Sequence, residues 1–320
     1  MKVLLDSNVW RYLADQNASA ALQKCVTESD IEIVVTPSLV FETLELLNEP
    51  VRKSILKLQA LPFWTRLMPE TFLEIEEIKA SIRRYRPEWI INNPDMTQVN
   101  QLARDWTESD GGFWARAGAD IAPPTTDESI RLEREHHLAR LESQKIRANL
   151  LSRGQTLPKV SLCDVFGNPP ASIPGWLGAP VEYWRVPSLH VMWNELQIYA
   201  SPYREWIDSE VDINAIFESP DKFTQLWYYQ ISAEDTPRQW LRGAFEYLQA
   251  YHKVTSGNPV DSQLASHLID VDVIVSADRN FIRFVEKCKK DAPFAVAEPY
   301  RIAGGGKGVG DLFAKLSSSY

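Results

Sequence analysis

The chain has 320 residues, 44% hydrophobic and 24% charged, which excludes a disordered protein and suits two domains or one domain with a large insertion. A net charge of −9 argues against nonspecific coating of nucleic acid, whose affinity comes from Lys and Arg displacing counterions; a polyanionic substrate would need a local basic patch or a bridging divalent metal. Cys25, Cys163 and Cys288 lie far apart without CxxC spacing, so neither a disulfide framework nor a zinc knuckle is indicated.

Val3-Leu4-Leu5 reads as a buried strand that ends in Asp6-Ser7-Asn8, and residues 9–27 read as helix. Residues 31–36 are a second, β-branched strand, followed by a helix from Pro37 to about Leu47. Strand, helix, strand, helix is the pattern of a parallel sheet covered by helices.

From about residue 50 to 235 helical periodicity dominates, and ten of the eleven tryptophans fall between Trp64 and Trp240, most of them expected in a core. Thr125-Thr126-Asp127-Glu128 is a capping box that predicts a helix toward Leu151. A helix beginning Thr236-Pro237 carries Trp240, Ala244, Leu248 and Tyr251 at helical spacing. The α/β pattern then returns: a helix from Asn258-Pro259-Val260-Asp261, a strand over 271–276, a helix over 279–287 and a strand over 294–297.

Neither end has enough strands for a sheet of usual size, but together they do. The expectation is a three-layer α/β/α sandwich with a parallel sheet, built from residues 1–49 and 236–303. A large, mainly helical insertion occupies 50–235, and a flexible Gly-rich tail occupies 304–320.

Acids recur where such a sheet would bind ligands, at the carboxyl ends of strands. Asp6 and Asp278 each follow a strand, although Asp is also a favoured helix N-cap. Asp261 stands three residues after Asn258 and is open to reading as half of a capping box. Glu42 lies on the helix after the second strand, and Glu45, one turn on, competes with it.

Asp6-Ser7-Asn8 after a strand, Glu42 in VVTPSLVFETLEL, Asp261 in NPVDSQLASHL and Asp278 in VIVSADRNF resemble, in order and context, the four acidic motifs of PIN domains. That family has a parallel α/β/α sandwich and is mostly metal-dependent ribonucleases. The resemblance implies that Asp6, Glu42, Asp261 and Asp278 are catalytic acids holding Mg2+ or Mn2+, with metal-activated water cleaving RNA. It also implies that Ser7 and Asn8 hold the first loop and that Ser276 stands beside the last acid. Asn8, Ser276 and Arg279 are the residues expected at the substrate, and a protein inhibitor or antitoxin-like partner is a further expectation. The chain departs from compact members in residues 43–260, where those have only a pair of helices. A non-catalytic scaffold that binds RNA or protein is the rival expectation.

Carboxylate oxygens independently suit hard cations that keep several waters and bind phosphate oxygens. Arg83, Arg84 and Arg86, interleaved with Tyr85 and Trp89, are open to two readings, phosphate contact or a solvated helix face. His136-His137 point about 100° apart on a helix and do not share a face. His267 reads as a structural histidine, and 304–310 lacks the order of a phosphate loop. No run of about 20 apolar residues is present, and the start turns to charge too early for a signal peptide, so the expected location is cytoplasmic, without membrane association.

Overall fold

Three successive apolar residues suit a strand covered on both faces, and β1 (Lys2–Leu5) buries Val3, Leu4 and Leu5 completely. A computed structural model describes residues 1–108, 110–120, 148, 152, 161–251 and 258–317. After β1 come α1 (Ser7–Asp15) and α2 (Ser19–Glu28), where the sequence predicts one helix over 9–27. The break falls at Asn17, whose φ of 49° is left-handed, a conformation Asn tolerates better than most residues.

The chain continues through β2 (Glu32–Val35), α3 (Pro37–Leu44) with Pro in its first turn, α4 (Glu49–Gln59) and β3 (Thr65–Arg66). β3 pairs in parallel with β2, Thr65 opposite Val34. The sheet therefore reaches into the stretch assigned to the insertion. Trp64 anchors that short strand: its ring meets Trp10 edge-on at 6.1 Å, and its Nε1 donates to the Leu58 carbonyl at 2.8 Å.

The middle of the chain is mainly helical, as the periodicity predicts. It contains α5 (Glu70–Tyr85), α6 (Thr97–Thr107), α7 (Phe113–Gly118), a two-stranded antiparallel ribbon of β4 (Phe166–Gly167) and β5 (Val181–Glu182), α8 (Arg185–Gln197), α9 (Pro202–Ile207), α10 (Ile213–Glu218) and α11 (Pro220–Gln225). Trp89, Trp114, Trp184, Trp206 and Trp227 are buried here, so these rings are core. The helix expected from Thr125, the His136-His137 pair and His252 lie outside the described residues.

The α/β pattern resumes with α12 (Pro237–Gln249), α13 (Asn258–Ser266), β6 (Val273–Ser276), α14 (Arg279–Asp291), β7 (Glu298–Arg301) and α15 (Gly306–Ser317). The five strands run parallel in the order β3-β2-β1-β6-β7, so Val3 is in register with both Ile33 and Val273. The fold is α/β, in an arrangement consistent with a three-layer sandwich. One continuous core joins the sheet's helices to the middle region. Leu4 sits in that core without exposure, and truncating it to Ala costs about 2–5 kcal/mol.

Two expectations near the end are corrected. The last strand is β7, over Glu298–Arg301, instead of 294–297, because Phe294 turns onto Trp240 at 5.5 Å while Glu298 begins the ladder with β6. Pro299 is tolerated there because β7 is an edge strand. The Gly-rich stretch leads into α15, whose Val309, Leu312 and Leu316 are buried and which packs on α1 and α2. Gly308 permits this docking, since a Cβ there would collide with the Ala303 carbonyl oxygen. No helix among the described residues is long and apolar enough to cross a membrane.

Candidate acidic site at the carboxyl edge of the sheet

A parallel sheet gathers all its strand carboxyl ends on one edge, and β1 delivers Asp6 there, only 5% exposed. Asp6 Oδ1 accepts from the Ser7 amide at 2.7 Å and the Ser7 hydroxyl at 3.3 Å. Its Oδ2 accepts from the Asn8 side-chain amide and, at 2.5 Å, from the Ser276 hydroxyl. The Ser276 oxygen in turn accepts from the Asp278 amide at 2.9 Å, and Asn8 Oδ1 accepts from the Ala277 amide at 3.0 Å. These bonds tie the loop after β1 to the loop after β6.

Asp278 is exposed and caps α14, its Oδ1 accepting from the amides of Asn280 at 2.6 Å and Phe281 at 3.1 Å. The capping reading of Asp6 and Asp278 is thus correct as local structure. Capping occupies one oxygen of Asp278; the other makes no hydrogen bond with a described residue.

Glu42, half-buried on α3, is pushed up to about 7, first by burial and then by the charge of Asp6, against a hydrogen bond from the Ser7 side chain. Burial raises Asp6 above the usual carboxylate range despite hydrogen bonds from Ser276, Ser7 and Asn8, and the charge of Asp278 adds to the rise. Asp261 is raised well above its ordinary value by burial, followed by the charges of Asp6, Asp278 and Glu42. Asp261 thus lies within electrostatic reach of the other three predicted acids, and Asp6 within reach of Glu42 and Asp278. Glu45, exposed at the end of α3, touches this group only through its charge on Glu42.

No Lys or Arg among the described residues forms an ion pair with any of the four acids. Their all-oxygen donor set and unneutralised charge fit a hard divalent cation. As placed, however, no three His, Cys, Asp or Glu side chains among the described residues stand close enough to hold one metal ion.

Of the residues expected at the substrate, only Arg279 is exposed. Ser276 is fully buried, and it and Asn8 are spent on holding Asp6, so they position the acid instead of facing a substrate. The arginines of α5 take the solvated-face reading, exposed Arg83 pairing with Glu210 and exposed Arg84 with Asp235 at 2.9 Å, whereas half-buried Arg86, just past the helix, donates to the Tyr85 carbonyl and lies over the Trp89 ring.

A second polar cluster, away from the four acids, joins α5 to α12 and the turn after α13. Fully buried His267 bonds Glu70 through Nε2 and Asp270 through Nδ1, both at 3.0 Å, and Arg238 grips Asp270 through two bonds of 2.8 Å. Buried Glu74 accepts from Tyr203 and Gln239, each at 2.7 Å, and from Arg242. The sequence carries a signal for this cluster in the spacing of Glu70 and Glu74 on one helix and Arg238 and Arg242 on another, both i,i+4. The chain matches no protein-family model, no curated protein and no solved structure.

Proposed function

We propose that this chain is a PIN-like, Mg2+- or Mn2+-dependent endoribonuclease. One observation carries the reading: Asp261 on α13 feels the charges of Asp6 after β1, Glu42 on α3 and Asp278 after β6, and no Lys or Arg among the described residues forms an ion pair with any of the four. Burying uncompensated carboxylates destabilises a fold, and such clusters of perturbed acids mark functional sites.

Asp6, Glu42, Asp261 and Asp278 would hold the cation. When bound, Mg2+ or Mn2+ would neutralise phosphate charge and activate a water for in-line attack on phosphorus. The chain's own part is to fix the acids and their protons. Asn8, Ser276 and Ser7 hold both oxygens of Asp6, so its orientation is set before a ligand arrives. Glu42, with its value near 7, releases its proton as positive charge approaches, and burial with neighbouring carboxylates shifts Asp261 in the same direction.

The rival is a non-catalytic PIN-like scaffold that binds RNA or protein, favoured because no three acids among the described residues are already spaced to share an ion. Hydrolysis of a labelled single-stranded RNA with Mn2+, with chelator, and by Asp6→Asn and Asp278→Asn separates the two. The nuclease reading expects turnover only by wild type with metal. Equal turnover by all three proteins, or none by any, rejects it.

A further inference from the structure

In a protein of net charge −9, most of the arginines described are already neutralised: Arg52 grips Asp120, Arg84 Asp235, Arg116 Asp105 and Arg238 Asp270. Four cations near the carboxyl edge are not. Arg279, Arg283, Arg301 and Lys307 are all exposed and make no ion pair, hydrogen bond or ring contact with a described residue.

The elements that carry them start or end beside the carboxyl ends of β6 and β7. Arg279 follows Asp278 directly and opens α14, and Arg283 lies one turn later on the same helix face, about 6 Å along the axis. Arg301 ends β7 in register with Ser276, and the next residue, Ile302, donates its amide to the Ser276 carbonyl at 3.0 Å. Lys307 is the second residue of α15, which starts from the loop after β7. Of the acids near them, Glu298 is held by Lys289, Asp311 accepts from the Ala303 amide at 2.9 Å one turn from Lys307, and Glu286 lies one turn beyond Arg283 on α14.

We propose that Arg279, Arg283, Arg301 and Lys307 form a cationic rim that holds the phosphates of a single RNA strand beside the acids, a proposal that rests on the nuclease reading of that site. Exposed cations without internal partners keep their full charge for counterion exchange, whereas the paired arginines have surrendered theirs. The rim also sets positive charge on the elements that follow β6 and β7, against the repulsion a phosphodiester would meet from the carboxylates.

The test is binding of a labelled single-stranded RNA oligonucleotide, by anisotropy in chelator across a salt series, so that no protein cleaves it. Wild type is compared with a variant carrying Arg279→Gln, Arg283→Gln, Arg301→Gln and Lys307→Gln, and with a control carrying Lys24→Gln and Lys53→Gln, whose surface ion pairs lie on α2 and α4. The slope of log affinity against log salt should fall by about 0.7 per rim cation removed and stay unchanged in the control. Circular dichroism melts establish that each variant is folded; a rim variant that unfolds is replaced by the Arg279→Gln, Arg283→Gln pair, with an expected fall of about 1.4.

Rim-dependent RNA binding without Mn2+-dependent cleavage by wild type keeps the rim and rejects the nuclease. Cleavage by wild type with equal salt slopes in all variants rejects the rim and keeps the nuclease. Absence of RNA binding, or a polyglutamate chain competing as well as RNA, also overturns the rim.

Discussion

Asn8 and Ser276, 268 residues apart, meet at 3.2 Å and close on the same carboxyl oxygen of Asp6. Asn8 lies in the first turn of α1 and Ser276 ends β6. Asn8→Ala removes a donor to a buried acid and an acceptor for the Ala277 amide. Urea unfolding should show a loss of about 1–3 kcal/mol. No change in midpoint would mean that the two loops are held by something else.

The acids give the apo protein a pH dependence of definite sign. The ordinary value for Glu42 is 4.5 and its folded value about 7, so the native state holds the proton to higher pH than the unfolded chain. Its contribution is full below about 4.5 and is lost as pH rises through about 7. Melting temperature should therefore decline over that window, and Glu42→Gln should flatten the decline. A Mn2+ titration should raise the melting temperature at neutral pH if the cation binds the folded state.

His267 behaves in the same sense from a different place. Burial disfavours its imidazolium, but hydrogen bonds to Asp270 and Glu70 outweigh burial and lift it above its ordinary 6.5. Its contribution is full below about 6.5 and fades as pH rises through the folded value. Imidazole nitrogen resonances should report a protonated His267 above pH 6.5; titration below that value would contradict the ion-paired arrangement.

Glu74 is completely buried with three partners, so Glu74→Ala leaves Arg242 without its carboxylate inside the helical region. Stability should fall by about 3–5 kcal/mol. Calorimetry checks this, and a loss under 1 kcal/mol would show that Arg242 finds another acceptor.

The strands around the acids were readable because Leu5-Asp6 and Ser276-Ala277-Asp278 combine a run of apolar residues with an abrupt polar stop, a purely local signal. β3 was not readable: Thr65-Arg66 carries no apolar run and is held as a strand by Trp64 packing and by pairing with β2. The tail misled for a related reason. Glycines 304–310 favour flexibility by composition, yet Gly308 is needed for close approach to Ala303, a demand visible only in three dimensions. Periodicity left Glu42 and Glu45 as alternatives because the choice depended on where α3 ends; it ends at Leu44, and it is Glu42 that feels the charge of Asp6.

β1 occupies the middle of the sheet, and one of its two neighbours is built from residues 273–276, which are synthesised long after Lys2–Leu5. At about 5–20 residues per second, roughly 10–50 s of synthesis separate the two strands. Through that interval β1, with its buried Val3, Leu4 and Leu5, has one edge open, and Asp6 lacks the Ser276 hydroxyl that fixes it. Assembly of the acidic edge is therefore a late event set by chain length, and ribosome-bound chains halted before β6 should depend on chaperones that shield an unpaired strand.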